Sequence, residues 1–382
     1  MLQILMWGGS LFLMAVMAAP IIEETGWASQ WVFGALSLGI LVSALLAPLT
    51  SRLIARHGGR LVLASSGLVI ATGLFVMAAS SSLAMFLFAW TIIGVGMALG
   101  LFEALLATLG ALYGARAGRA ITGITLISGF ATTLCWPAIA LFIAYFGWRT
   151  TCLAYAALLV ITVAPLYLWA LPRGAGKLGN GNATCISDTA IDRYTYLLLT
   201  TIFAVGAVIM TAMSVHLVSL LQGQGCSLAA AVGLSTLLGP SQVGARFLQV
   251  FFARHHPVWI TLVYVVLVAV GIVLIATGPV VAALGVAIFG AGNGLRVIIR
   301  GLLPLSLLSP SHYVLLMGRM ARPSLIAQAL TPLVGGYLLQ TCGSHGVLTG
   351  LCVLAMLNVL LVCLLLQQVR KLQSHPKRVA PQ

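Results

Sequence analysis

The chain has 382 residues, 61% of them hydrophobic and 6% charged, with a mean hydropathy of +1.13. Soluble domains carry about a quarter charged residues, so a water-soluble globule is excluded. A formal net charge of +14 would suit a nucleic-acid partner, but the basic residues gather between long apolar runs, which excludes one.

Breaks at Gly, Pro and charge divide the chain into twelve apolar segments, at about 2–20, 31–51, 61–80, 83–112, 119–146, 150–171, 194–222, 228–252, 258–278, 280–307, 313–341 and 345–369. Each is near the ~20 residues a helix needs to cross a bilayer. The first segment lacks a basic flank and eleven spans follow, so it reads as a helix and not as a signal peptide. The stretch from Pro172 to Arg193, rich in Gly, Asn, Ser and Thr, reads as a flexible linker. The expected organisation is therefore a six-helix lobe over 1–171, a cytoplasmic linker over 172–193, a second six-helix lobe over 194–370 and a cytoplasmic tail over 371–382.

Charge fixes the expected orientation. With the N-terminus inside, fifteen of nineteen basic residues fall in inside loops, the linker or the tail, and one, Arg149, falls outside. Arg246, Arg296 and Arg300 lie within spans. This positive-inside asymmetry places both termini in the cytoplasm. The seven cysteines are scattered without CxxC or metal-ligand spacing. No phosphate-binding loop is present, which removes ATP hydrolysis.

The halves resemble each other weakly. Ala47-Pro48 followed by Arg52 and Arg56 is matched by Gly239-Pro240 followed by Arg246 and Arg254. Gly94-Val95-Gly96 is matched by Gly290-Ala291-Gly292. Two repeats about a linker are what a two-lobed transporter with a midplane site requires.

The stretch Ser51-Arg52-Leu53-Ile54-Ala55-Arg56-His57-Gly58-Gly59-Arg60 resembles the loop signature between helices 2 and 3 of the major facilitator superfamily, with Ser51 and Ala55 where the family usually has Gly and Asp. Tyr113 to Gly129, Phe146-Gly147-Trp148-Arg149 and Glu24-Thr25-Gly26-Trp27 are similar to its monocarboxylate-porter branch. Gly239-Pro240-Ser241-Gln242-Val243 is similar to uncharacterised bacterial members. The resemblance implies an all-α membrane protein of about twelve transmembrane helices in two pseudo-symmetric lobes, the major facilitator fold. It also implies structural loop roles for Arg52, Arg56, Gly58 and Arg60.

A charge at the bilayer centre costs ~2.5–3.5 kcal/mol on insertion scales, so each intramembrane polar residue needs a reason. Of five acidic residues, Glu103 alone falls inside a span. Desolvation suits it to exchange a proton during transport. It equally suits a fixed post, because Gly96, Gly100, Glu103, Ala107 and Gly110 share a face of a continuous helix, the small-residue stripe of a tight helix pair. Asn293, Arg296 and Arg300 follow i, i+3, i+7 spacing and share a face. Two cations there call for an anion between them, and the guanidinium fork matches a carboxylate or oxyanion. Arg300 can alternatively snorkel to the cytoplasmic interface. Gln242 stands four residues before Arg246 and either lines the cavity or bonds a neighbouring helix. His216 is a second proton candidate, with a packed hydrogen-bonding role as the alternative.

These features point to a secondary transporter, not an enzyme, moving a small organic anion by alternating access and coupled to protons. The substrate-binding candidates are Arg296, Asn293, Arg300 and Gln242, and the proton-coupling candidates are Glu103 and His216. Export of toxic compounds, oxyanions or hydrophobic drugs, is the second reading, and a non-transporting sensor the third. No cofactor or metal is expected. The partners are the substrate, protons and the lipid bilayer of a bacterial inner membrane, with the chain acting as a monomer.

Overall fold

A computed structural model describes residues 2–128, 131–172, 193–251, 256–308 and 310–374. The linker from 173 to 192, with Arg173, Lys177, Cys185, Asp188 and Asp192, lies outside the described residues, as do Arg254, Lys377 and Arg378. Among the described residues the chain is helical apart from short connections, with no strand. The helices are α1 (Leu2–Gly8), α2 (Met14–Thr25), α3 (Ser29–His57), α4 (Gly59–Ala78), α5 (Leu83–Gly100), α6 (Phe102–Tyr113), α7 (Ala117–Ser128) and α8 (Ala131–Ala170). They continue with α9 (Arg193–Gly223), α10 (Leu228–Ser235), α11 (Leu238–Phe251), α12 (Pro257–Ala276), α13 (Pro279–Leu307) and α14 (Pro310–Ser374).

Eight stretches among the described residues are continuous, long and apolar enough to cross a bilayer. Two of the helices are double. α8 turns at Gly147 (φ 74, ψ 167) and α14 at Gly343 (φ 67, ψ −178), backbone conformations that a side chain would disfavour. Four expected spans are built from two helices each: α1 with α2, α5 with α6, α7 with the part of α8 before Gly147, and α10 with α11. Joining these pairs and dividing α8 and α14 at their glycines gives about twelve transmembrane segments, in the expected order. The outer side chains suit hydrocarbon: Val280 is 94% exposed and Trp169 85% exposed, which water would penalise and lipid does not.

The chain forms two compact units, Met1–Ile186 with Pro304–Leu330, and Ser187–Leu303 with Thr331–Gln382. Within the first, Gly73 of α4 meets Ala89 O and Ile93 N of α5, and Gly96 of α5 meets Ser66 O and Ile70 N of α4. Within the second, Gly271 of α12 meets Gly285 O and Phe289 N of α13, and Gly292 of α13 meets Tyr264 O and Val268 N of α12. A Cβ at any of these glycines would lie within 3.3 Å of those backbone atoms. Ala89 and Gly285, Ile93 and Phe289, Gly96 and Gly292, and the turning glycines 147 and 343 are all 196 residues apart. The faint sequence repeat is thus a repeat of close helix crossings, which van der Waals contact stabilises where no hydrophobic drive exists between helices in lipid.

One clasp organises the end of the first unit where α2 and α4 finish and α8 turns. Arg149, just past the Gly147 turn, donates Nε to Glu24 Oε1 at 2.8 Å and Nη1 to Ala78 O and Ser80 O at 2.7 Å each. Trp148 Nε1 donates to Glu24 Oε2 at 2.6 Å, and the guanidinium stacks 4.4 Å from the Trp148 ring centre. The cation caps the carbonyl end of α4, where the helix dipole favours it. Glu24, chiefly through its hydrogen bond to Arg149, is held below the usual carboxylate range.

Candidate functional site

Arg296 sits midway along α13 and is 7% exposed. Its Nε donates to Asn293 Oδ1, one turn back, at 3.0 Å, so the i, i+3 spacing is realised as a hydrogen bond that orients the guanidinium. Both residues line a pocket inside the second unit, together with Gly206 and Met210 of α9, Tyr264 of α12 and Asn358 of α14. The pocket offers about 10 Å³ to the centre of a water-sized sphere, room for roughly one water molecule.

Gly206 opens this space. A Cβ there would lie 3.5 Å from Arg296 Cδ, 3.6 Å from the Tyr264 hydroxyl and 3.7 Å from Asn358 Nδ2, so the three side chains converge on one point. Tyr264 and Asn358 are 1% and 2% exposed. The Asn358 amide lies close enough to the phenol to act on it, yet the Tyr264 hydroxyl and Asn358 Oδ1 each lack a hydrogen bond of ordinary geometry among the described residues. Buried polar groups are normally paired, so two unsatisfied ones in one pocket are informative. Sequence reasoning missed both. A tyrosine and an asparagine in separate spans, 94 residues apart, carry no joint signal in the chain.

The other binding candidates divide. Arg300 lies one turn beyond Arg296 and is half-buried. Gln242 accepts from Arg246 Nη2 at 3.4 Å, and Arg246 Nε reaches Gly294 O of α13 at 3.3 Å. Gly290 and Gly294 let α13 approach α11 so closely that a Cβ at Gly294 would fall 2.4 Å from Gln242 O. The Gln242 side chain thus pairs with Arg246 on its own helix, and its backbone lies at the crossing with α13.

Of the proton candidates, His216 packs on α14, where a Cβ at Gly335 would lie 2.6 Å from its Nε2. Glu103 is half-buried in the first turn of α6. Leu101, extended at φ −77 and ψ −165, separates α5 from α6. The helical phase is lost there, so the single stripe expected from Gly96 to Gly110 is split between two helices. Gln3 of α1 donates to Gly100 O at 2.8 Å, satisfying a carbonyl at the end of α5. Trp7 packs edge-on against Phe102, beside Glu103. The carboxylate stands at a helix N-terminus, where the dipole favours negative charge by ~0.3–1 kcal/mol.

Two residues of the loop signature, Gly58 and Arg60, take part in a turn and a helix cap. Gly58 turns the chain at φ 85. Arg60 caps α8 by donating Nε to Leu168 O at 3.0 Å and Nη2 to the same oxygen. Arg52 and Arg56 are exposed. No cluster of three or more His, Cys, Asp or Glu suited to a metal occurs among the described residues.

The fold matches known transporters. The human organic anion transporter MFSD10 (TETRAN) superposes with a TM-score of 0.75 at 17% identity, covering 94% of this chain and 97% of that one. The proton:xylose symporter XylE, bound to 6-bromo-6-deoxy-D-glucose, superposes with a TM-score of 0.71 at 12% identity, covering 94% and 92%. No curated protein sequence shows significant similarity to the chain. The sequence model of the Major Facilitator Superfamily matches residues 1–320. With that match and this fold, the chain belongs to the major facilitator superfamily and is a multi-pass membrane transporter of the secondary class.

Proposed function

We propose that the protein moves a small organic anion across a bacterial inner membrane, driven by protons, with both termini in the cytoplasm and the chain working as a monomer. The carrying observation is Arg296: a guanidinium 7% exposed, braced by Asn293 at 3.0 Å, on the wall of a small pocket that Tyr264 and Asn358 also line. Burying a cation costs several kcal/mol, and a protein gains from that cost where the cation meets an anion. Fold likeness does not choose the substrate, because the same fold serves an organic anion transporter and a xylose symporter. Arg296, Asn293 and Arg300 bind the anionic group, and Gln242 acts by holding the α11–α13 crossing. Glu103, beside the break between α5 and α6, exchanges the proton, and His216 is its reserve. The motifs at 113–129 and 146–149 favour the monocarboxylate-porter branch.

The test compares binding of propionate, as a carboxylate probe, to the wild type, Arg296→Lys and Arg296→Ala. Lys keeps the charge but loses the fork, so affinity should fall about tenfold, and further for Ala. Equal binding by all three proteins, or tighter binding of a neutral or cationic hydrophobic compound, overturns the anion reading in favour of a drug exporter.

A further inference from the structure

The two halves build the same crossing with different chemistry. Gly100 and Arg296 are 196 residues apart, the spacing that relates α5 to α13 throughout their packing. Ser66 and Tyr264, 198 residues apart, hold equivalent places on α4 and α12, because the carbonyl of each lies against the equivalent glycine, Gly96 or Gly292. In the first unit the pair closes tightly: a Cβ at Gly100 would lie 2.1 Å from Ser66 Oγ. In the second unit the corresponding pair is Arg296 and Tyr264, with an open pocket beside them. At this crossing the first unit sets a glycine against a serine where the second sets a cation against a phenol.

The unsatisfied groups define what the pocket takes. Tyr264 has a hydroxyl proton to donate, and Asn358 Oδ1 needs a donor. A group that accepts from one and donates to the other satisfies both, and the space admits about one such oxygen. A hydroxyl does this, whether it belongs to water or to a substrate. A bare carboxylate does not, because it has no proton for Asn358.

We infer that Tyr264, Asn358 and Gly206 form a hydroxyl-reading subsite beside Arg296, so that the transported anion carries a hydroxyl group near its carboxylate. This rests on the anion reading above. Arg296 holds the charged end, and Tyr264 and Asn358 discriminate by the penalty a deoxy analogue incurs when it leaves them unpaired. Gly206 sets the size limit.

The experiment measures binding of propionate, 2-hydroxypropionate, 3-hydroxypropionate and glycerol to the purified full-length protein in detergent. Wild type, Tyr264→Phe, Asn358→Leu and Gly206→Ala are compared. The Ala methyl would meet its neighbours at 3.5–3.7 Å, ordinary contact, so Gly206→Ala fills the pocket without forcing the helices apart. The expected result is that at least one hydroxy acid binds wild type about tenfold or more tightly than propionate, a margin typical of a hydrogen-bonding site. All three variants should then bind the hydroxy acid no better than propionate. Equal affinity for the three acids in wild type, unchanged by the substitutions, overturns the subsite, leaves the anion reading standing and makes the occupant a structural water. Glycerol binding that the substitutions abolish, without binding of any acid, retains the hydroxyl subsite and overturns the anion. Binding of none of the four overturns both.

Discussion

Replacing Arg149 by Ala tests how the α2–α4–α8 end of the first unit is held. The side chain donates to two helix-end carbonyls, Ala78 O and Ser80 O, and to Glu24. Both carbonyls belong to buried residues, so each loss costs about 1 kcal/mol. The ion pair is 37% and 49% exposed and contributes about 0–1 kcal/mol after screening. The sum is about 2–3 kcal/mol, a fall of several degrees in thermal unfolding of the detergent-purified protein. Arg149→Lys should recover less than half, because one ammonium cannot serve three acceptors across this span. Acid supplies a second reading of the same contact. Glu24 titrates below the usual carboxylate range when folded, so its contribution is complete above about pH 4.3 and is lost as the pH falls through that lowered value. The gap between wild type and Arg149→Ala should therefore narrow in acid to the part owed to the carbonyls. Unfolding temperatures within a degree of each other at pH 7 would refute the reasoning.

Glu103→Gln should leave the protein folded and remove pH-driven accumulation; retained accumulation assigns Glu103 a structural role and passes the proton to His216. Gly294→Ala should abolish folding or lower the unfolding temperature by many degrees, because the added carbon falls 2.4 Å from the Gln242 backbone oxygen and backbone cannot yield cheaply; a wild-type melting curve would refute that packing. A C-terminal fluorescent-protein fusion should glow and a C-terminal periplasmic phosphatase fusion should be inactive, and the opposite pair of results would invert the topology.

Much of the fold could be read from the chain because membrane burial writes itself into composition. Span length, loop charge and the Gly94–Gly290 correspondence all follow from local residue type, and twelve apolar runs map onto the helices with ends displaced by a few residues. The breaks at residues 9–13, Leu101 and 236–237 were not legible. Nothing at Leu101 marks an extended residue, which Gln3, 97 positions away, helps to satisfy through Gly100. The candidate site was half legible. Arg296 and Asn293 stand on one helix, where spacing predicts their contact. Tyr264, Asn358 and Gly206 reach them only through the packing of three other helices. Gln242 shows the value of spacing: it stands four residues before Arg246, and the two side chains are hydrogen-bonded. The stripe through Glu103 failed as a single face because periodicity assumes an unbroken helix.

The central claim is coupled transport of an anion, and proteoliposomes test it most directly. Uptake of radiolabelled 2-hydroxypropionate is followed with and without an imposed pH gradient, for wild type and Arg296→Ala. The account predicts that the gradient drives accumulation above equilibrium in wild type and that Arg296→Ala abolishes it. Accumulation that ignores the gradient, or that survives loss of Arg296, would contradict it.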